Sequence, residues 1–150
     1  MKKIIYIGIV AIILSFAGYQ MHKNKLAKQQ IVRDIKSRTD QYGFVDISVN
    51  LTGRDGIVIL APINCPSDQA KRADKLAREL ENMKIPVVRM NGYHYQMDLS
   101  NYTEREANQI VNRIYYVQKM PAPVVFVNGK VKSNASITDI INENKIQRGF

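Results

Sequence analysis

One cysteine, Cys65, is all the thiol this 150-residue chain carries. An intramolecular disulfide is therefore excluded, and so is a zinc site built from several thiolates. Histidine is almost as scarce. His22 and His94 stand far apart in the sequence, and a lone His with one Cys and one Asp makes a poor metal site, so no metal is expected. No Gly-rich phosphate loop, Ser/His/Asp arrangement, internal repeat or low-complexity tract can be read. Cys65 itself remains open to three uses: an inert buried thiol, one half of an intermolecular disulfide, or a nucleophile.

The region that reads as a folded domain also lacks a charge excess, although the whole chain has a formal charge of +9. Lys2 and Lys3 start the chain, and residues 22–38 hold Lys23, Lys25, Lys28, Arg33, Lys36 and Arg38 against Asp34 alone. From residue 40 onward 14 basic side chains face 12 acidic ones. The cations thus flank an apolar segment, where they suit anionic lipid headgroups. A nucleic-acid surface would need them on the domain itself, so no nucleic-acid partner is expected. With 45% hydrophobic and 23% charged residues the chain is not a disordered one.

Ile4 to Tyr19 contains no charge. As a helix these residues would span roughly 24 Å, against about 30 Å for a bilayer core. Residues 1–20 therefore read as a signal peptide or a short membrane anchor, with Ser15-Phe16-Ala17 offering the small residues of a cleavage site. The two positive flanks disagree about topology. Counted strictly they hold the domain in the cytoplasm, whereas a Lys-Lys start before an apolar run is the build of an export signal. The reading adopted is a single-pass inner-membrane or exported protein with its soluble domain outside the cytoplasm. Residues 21–42 read as a basic helical stalk or linker, and residues 43–150 as the domain.

Within that domain Phe44 to Leu51 alternates at the period of a half-buried strand. A turn follows over residues 52–56, and Ile57–Ala61 is apolar throughout, as expected of a strand covered on both faces. Ala70, Ala73, Leu76, Ala77, Leu80 and Met83 mark one face of a helix opened by Pro66 and ended by Ile85-Pro86. Val87–Met90 reads as a short strand and residues 92–102 as a loop. Thr103 with Glu106 is a capping box for a helix burying Ala107, Ile110, Val111, Ile114 and Val117. Pro121 and Pro123 stop that helix. Val124–Val127 is a strand, Asn128-Gly129 a hairpin turn, Val131 opens the return strand, and Ser136 caps a last helix bearing Ile137, Ile140 and Ile141. Strands joined through helices run parallel and the hairpin adds antiparallel ones. An α/β domain results, with a mixed sheet of four or five strands and helices on both faces.

Two stretches carry a resemblance. Ile57–Ala61, then Pro62-Ile63-Asn64-Cys65-Pro66-Ser67-Asp68, is a buried strand, a short loop and a Cys-Pro opening a helix; Ala122-Pro123-Val124 through Asn128-Gly129-Lys130 is a proline entering a hairpin. Together, over roughly residues 44–145, they resemble the thioredoxin superfamily and are most similar to glutaredoxin-type domains. The resemblance implies a thioredoxin-like fold, Cys65 as the attacking thiol, and a cis bond at Pro123 rather than Pro121. It further implies that Pro66, Asp68, Ala122 and Pro123 line the substrate site. Independently, a thiol at a helix N-terminus faces unpaired N–H groups and the positive end of the helix dipole, which favour thiolate.

The chain departs from the family pattern in three places. Asp68 replaces the resolving cysteine, Ser133-Asn134 stand where glutaredoxins have Gly-Gly, and Pro62-Ile63-Asn64 replace a lysine common before the cysteine. Asp68 is either a good helix-start residue or a like charge that raises the Cys65 pKa, with Arg72 one turn on to offset it. The function expected is one-cysteine thiol–disulfide exchange on a protein or small-thiol disulfide. It needs no bound cofactor, and an external thiol such as glutathione would have to resolve the product. The alternative is a non-catalytic thioredoxin-fold module binding a partner in a cell-envelope assembly.

Overall fold

The computed structural model describes the backbone of residues 2–51, 56–61 and 68–148, and side-chain surroundings for those of them between 19 and 146. They fall into two compact units, Met1–Ser37 and Arg38–Phe150. No proline interrupts the first unit, which is one helix, α1 (Lys2–Ser37), so the basic stretch is helical rather than a loose linker. Among the described residues no helix is long and apolar enough to cross a membrane. The side chains of the apolar run up to Gly18, with Ser15-Phe16-Ala17, lie outside the described residues, as does the expected turn at 52–55.

The second unit begins at Arg38, a few residues before the boundary at 43 read from the sequence. Asp40 organises this start: its Oδ1 accepts from the N–H of Tyr42 at 2.9 Å and of Phe44 at 3.0 Å. The strand expected over 44–51 is cut to β1 (Val45–Asp46). Asp46 Oδ1 accepts from both Ser48 N–H and Oγ, at 2.8 and 3.0 Å, and draws Ser48 to φ 56°, where no strand continues. The chain resumes only as a single bridge between Leu51 and Met97. Of the apolar side of that alternation, Val45, Ile47 and Leu51 are buried and Val49 is half-buried.

The sheet has five strands in the order β1-β5-β4-β2-β3, with β2 (Ile57–Ala61), β3 (Val87–Asn91), β4 (Val124–Val127) and β5 (Lys130–Ser133). β2 and β3 are parallel; β4 runs antiparallel to both β2 and β5. The β4–β5 turn places Asn128 at φ 43° and Gly129 at φ 79°, the left-handed pair that an Asn-Gly hairpin requires. Every residue of β2 is buried, as a central strand demands.

Helices α2 (Asp68–Asn82) and α4 (Ile137–Arg148) cover one face, where Ala73, Leu80 and Ile140 meet Ile57, Ile59 and Val125. The alternate residues Val58, Phe126 and Val131 point the other way, toward α3 (Glu104–Gln118), whose buried side carries Ile110, Ile114 and Val117. The capping box of Thr103 and Glu106 is present. Two expectations fail at helix rims. Met83 is 51% and Val111 46% exposed, and Arg113, for which nothing was expected, is buried and donates to the Asp46 carbonyl at 3.4 Å. An arginine that reaches a backbone acceptor can take a core position that a hydrophobicity pattern assigns to a neighbour.

Charges fasten the β5 edge. Lys130 Nζ lies 2.7 Å from Asp40 Oδ2 and 2.8 Å from Glu143 Oε1, and Glu143 is fully buried on α4. Lys132 Nζ meets Asp139 Oδ2 and the Tyr42 carbonyl, at 2.7 and 2.6 Å. Asp139 also closes the cap of α4, accepting from Ser136 N–H at 2.9 Å while its own N–H donates to Ser136 Oγ at 3.2 Å. Burial opposes ionisation of Asp40, but contacts with Lys130 and Glu143 and two backbone N–H groups outweigh it and hold the carboxyl below its ordinary range. Burial likewise opposes the charge on Lys130, and the two carboxylates override it and raise the lysine.

Candidate functional site

β2 ends at Ala61, and the register pairs Leu60 with Val124, so the entry to β4 lies at the C-terminal end of β2. α2 is described from Asp68. The chain between Ala61 and Asp68, which includes the expected nucleophile Cys65 and Pro66, lies outside the described residues. Asp68, Ala122 and Pro123 lie within them.

The Ala122–Pro123 peptide bond is cis, and it is the one cis bond among the described residues, as the resemblance implied. Ala122 and Pro123 are both buried. Three successive carbonyls here are each held by a donor from another segment. Ser133 Oγ donates to Pro121 O at 2.6 Å, Arg72 Nη2 to Ala122 O at 3.1 Å, and Asn134 N–H to Pro123 O at 2.7 Å. The proline segment is thus tied both to the hairpin end and to α2.

Asn134 explains how the chain manages without Gly-Gly at this point. It sits at φ 49°, a conformation glycine adopts freely and asparagine tolerates better than most residues. Unlike glycine it brings a side chain, and its Oδ1 accepts from Arg72 Nη1 at 3.0 Å. Arg72 is accordingly directed at Ala122 and Asn134 rather than at Asp68, which corrects the expectation that it neutralises that carboxylate. Asp68 is exposed in the first turn of α2, where a negative side chain complements the helix dipole.

Arg72, Lys75 and Leu76 of α2 face Pro123, Asn134 and Ser136 across a groove of about 320 Å³. The groove was not read from the sequence, and Arg72 was read only as a counterion for Asp68. The only available signal was the i, i+4 spacing of Asp68 and Arg72, and it pointed to the wrong partner.

The aromatic loop before α3 packs on the opposite face. Tyr95 stacks obliquely on Phe126 with ring centres 5.5 Å apart and receives a hydrogen bond from Gln118 Nε2. Burial, reinforced by the nearby Tyr93 against the bond from Gln118, pushes its phenol above the ordinary value. Among the described residues no group of three or more His, Cys, Asp or Glu side chains is placed to hold a metal ion. Comparison with protein-family models, with curated proteins and with solved structures finds no match to this chain.

Proposed function

We propose that the domain is thioredoxin-like, most similar to the glutaredoxin type, and that it carries out one-cysteine thiol–disulfide exchange at Cys65. The observation that supports this reading is the register. The antiparallel β2–β4 pair brings Ala122-Pro123 to the end of β2 from which the chain leads through Cys65 into α2. A thiol just ahead of a helix would have its thiolate stabilised by the dipole and the free N–H groups of the first turn. The Cys65 thiolate attacks one sulfur of a partner disulfide; a new S–S bond forms, the old one breaks, and the departing sulfur leaves with the electron pair and takes up a proton. A second thiol, such as glutathione, then attacks the mixed disulfide and releases Cys65 as thiolate, because the chain has no resolving cysteine of its own. The apolar N-terminal segment would keep this chemistry at, or carry it across, a membrane.

The pH dependence of iodoacetamide labelling at Cys65, read by intact mass, tests the reading. A thiol pKa below about 7 is expected; a value at or above about 8.5 removes it. The second reading is the partner-binding module, and one contact favours it. Arg72 occupies the Ala122 carbonyl, a backbone acceptor that an incoming extended chain would otherwise share.

A further inference from the structure

Several described cations of the domain are matched by carboxylates. Lys130 has Asp40 and Glu143, Lys132 has Asp139, Arg89 has Asp74 at 2.9 Å, and Lys75 has Glu79 at 3.8 Å. Arg72 differs. Its two hydrogen bonds end on neutral oxygens, Ala122 O and Asn134 Oδ1, and among the described residues no carboxylate lies within ion-pair distance of it. A guanidinium has five N–H donors in a planar fork, so these two bonds leave both charge and donors available.

The surroundings suit a ligand. The groove has an apolar floor in Leu76 and Ala135 and a rigid wall in Pro123; Lys75 and Glu79, paired with each other, also line it, which leaves Arg72 as its unmatched charge. Its volume of about 320 Å³ is at the lower end of ligand sites, enough for one or two side chains of an extended chain but small for a bulky cofactor. The chemistry that completes a fixed, unneutralised guanidinium is a carboxylate, whose two oxygens match the fork.

We propose that this groove docks an acidic segment of a partner polypeptide, with an Asp or Glu carboxylate pairing with Arg72 while the segment runs along Pro123. The proposal names a partner for the site described above and relies on the thiol reading only for the end of the domain that the partner approaches. Binding itself requires no chemistry at Cys65.

The test uses the full-length chain with Cys65→Ser, so that no covalent product forms. Two fluorescein-labelled decapeptides, one with a Glu-Asp pair in a Gly/Ser background and one with Gln-Asn in its place, are titrated by fluorescence anisotropy. The acidic peptide is expected to bind at least about fivefold more tightly at low salt, with the preference falling as salt rises. Arg72→Gln should abolish the preference. Lys75→Gln, which disturbs only the exposed pair with Glu79, should reduce it and guards against a folding defect in the first variant. Equal binding of the two peptides, no binding of either, or a preference that survives Arg72→Gln overturns the proposal. So does displacement of the peptide by equimolar free glutathione, which would make the groove a small-molecule site. Unreactive Cys65 with acidic binding intact removes the thiol reading alone, and a reactive Cys65 with no acidic preference removes the groove alone.

Discussion

The two ends of β4 are built on opposite electrostatic plans. At the hairpin end, Lys130 is matched by the half-buried Asp40 and the fully buried Glu143, and the charges join the chain start at Asp40, the sheet and α4 into one unit. At the proline end, Arg72 of α2 is exposed and rests on two neutral oxygens, so it orders the backbone around Pro123 without being neutralised. Buried charge tolerates no mismatch, because an unpaired ion costs several kcal/mol away from water. Exposed charge can stay unmatched at little cost, and is then available to a ligand. One end of the sheet is therefore suited to holding the fold and the other to meeting something outside it.

The comparison is broken most severely at Lys130. Lys130→Met removes the cation that Asp40 and the fully buried Glu143 share, and a loss of about 3–5 kcal/mol is expected in urea unfolding. The pH dependence is the sharper signature. In the parent chain the Asp40 carboxyl is depressed, so its contribution is present above the unfolded value of about 3.9 and disappears as pH falls through the folded one. Lys130 is raised, so its contribution is present below about 10.4 and disappears as pH rises through the folded value. Stability is thus flat with respect to this cluster from about pH 5 to 9. In Lys130→Met the cation that depresses the Asp40 carboxyl is gone while the burial that opposes its charge remains, so the stability lost on acidification should be smaller than in the parent. A variant that loses as much stability on acidification as the parent would contradict the assignment.

A milder break, further along β5, is Asp139→Ala, which removes both the Lys132 ion pair and the acceptor for Ser136 N–H. A loss of about 1–2 kcal/mol is expected, the scale of a lost helix cap plus a part-buried pair. At the proline end, Arg72→Gln should cost less than about 1 kcal/mol in the same unfolding assay, because its side chain is exposed and so is Asn134, one of its two acceptors. If it costs as much as Lys130→Met, the contrast between the two ends is wrong and Arg72 belongs to the structural scaffold.

How much of this was legible in the sequence follows the range of the interactions. The capping box at Thr103, the Asn128-Gly129 turn and the apolar stripe of α2 are local patterns, and each reappears in the fold. The β1 strand was overextended because the alternation of Val45, Ile47 and Leu51 is real, while the Asp46–Ser48 turn that breaks the pairing is a side-chain effect hidden within it. The charged cluster was invisible, since Asp40 and Lys130 are separated by 90 residues and nothing in either neighbourhood announces the other. Arg72 was seen and misassigned: its near neighbour in sequence is Asp68, but its partners in space are 50 and 62 residues away.

The smallest expected effect is the most informative about chemistry at the proline end. Asp68 is exposed in the first turn of α2, three residues after Cys65 in the sequence, and Arg72 does not neutralise it. A carboxylate in that turn competes with a thiolate for the same N–H groups and repels it, so it works against the nucleophile that the helix start would otherwise favour. Asp68→Asn keeps the shape and removes the charge. It should lower the Cys65 thiol pKa by about one unit and speed alkylation at neutral pH, with solvent screening preventing a larger shift. Stability should change by no more than about 0.5 kcal/mol, as for most exposed substitutions. Asp68→Cys extends the same logic: it removes the charge and supplies a second sulfur, giving Cys-Pro-Ser-Cys, whose closure to a disulfide can be followed as a loss of two mass units. The decisive measurement is the pH profile of iodoacetamide labelling in the parent chain and in Asp68→Asn. A profile shifted to lower pH in the variant ties Asp68 to the sulfur. Superimposable profiles mean that the carboxylate does not act on Cys65, and the partner-binding reading then has the stronger claim on this end of the sheet.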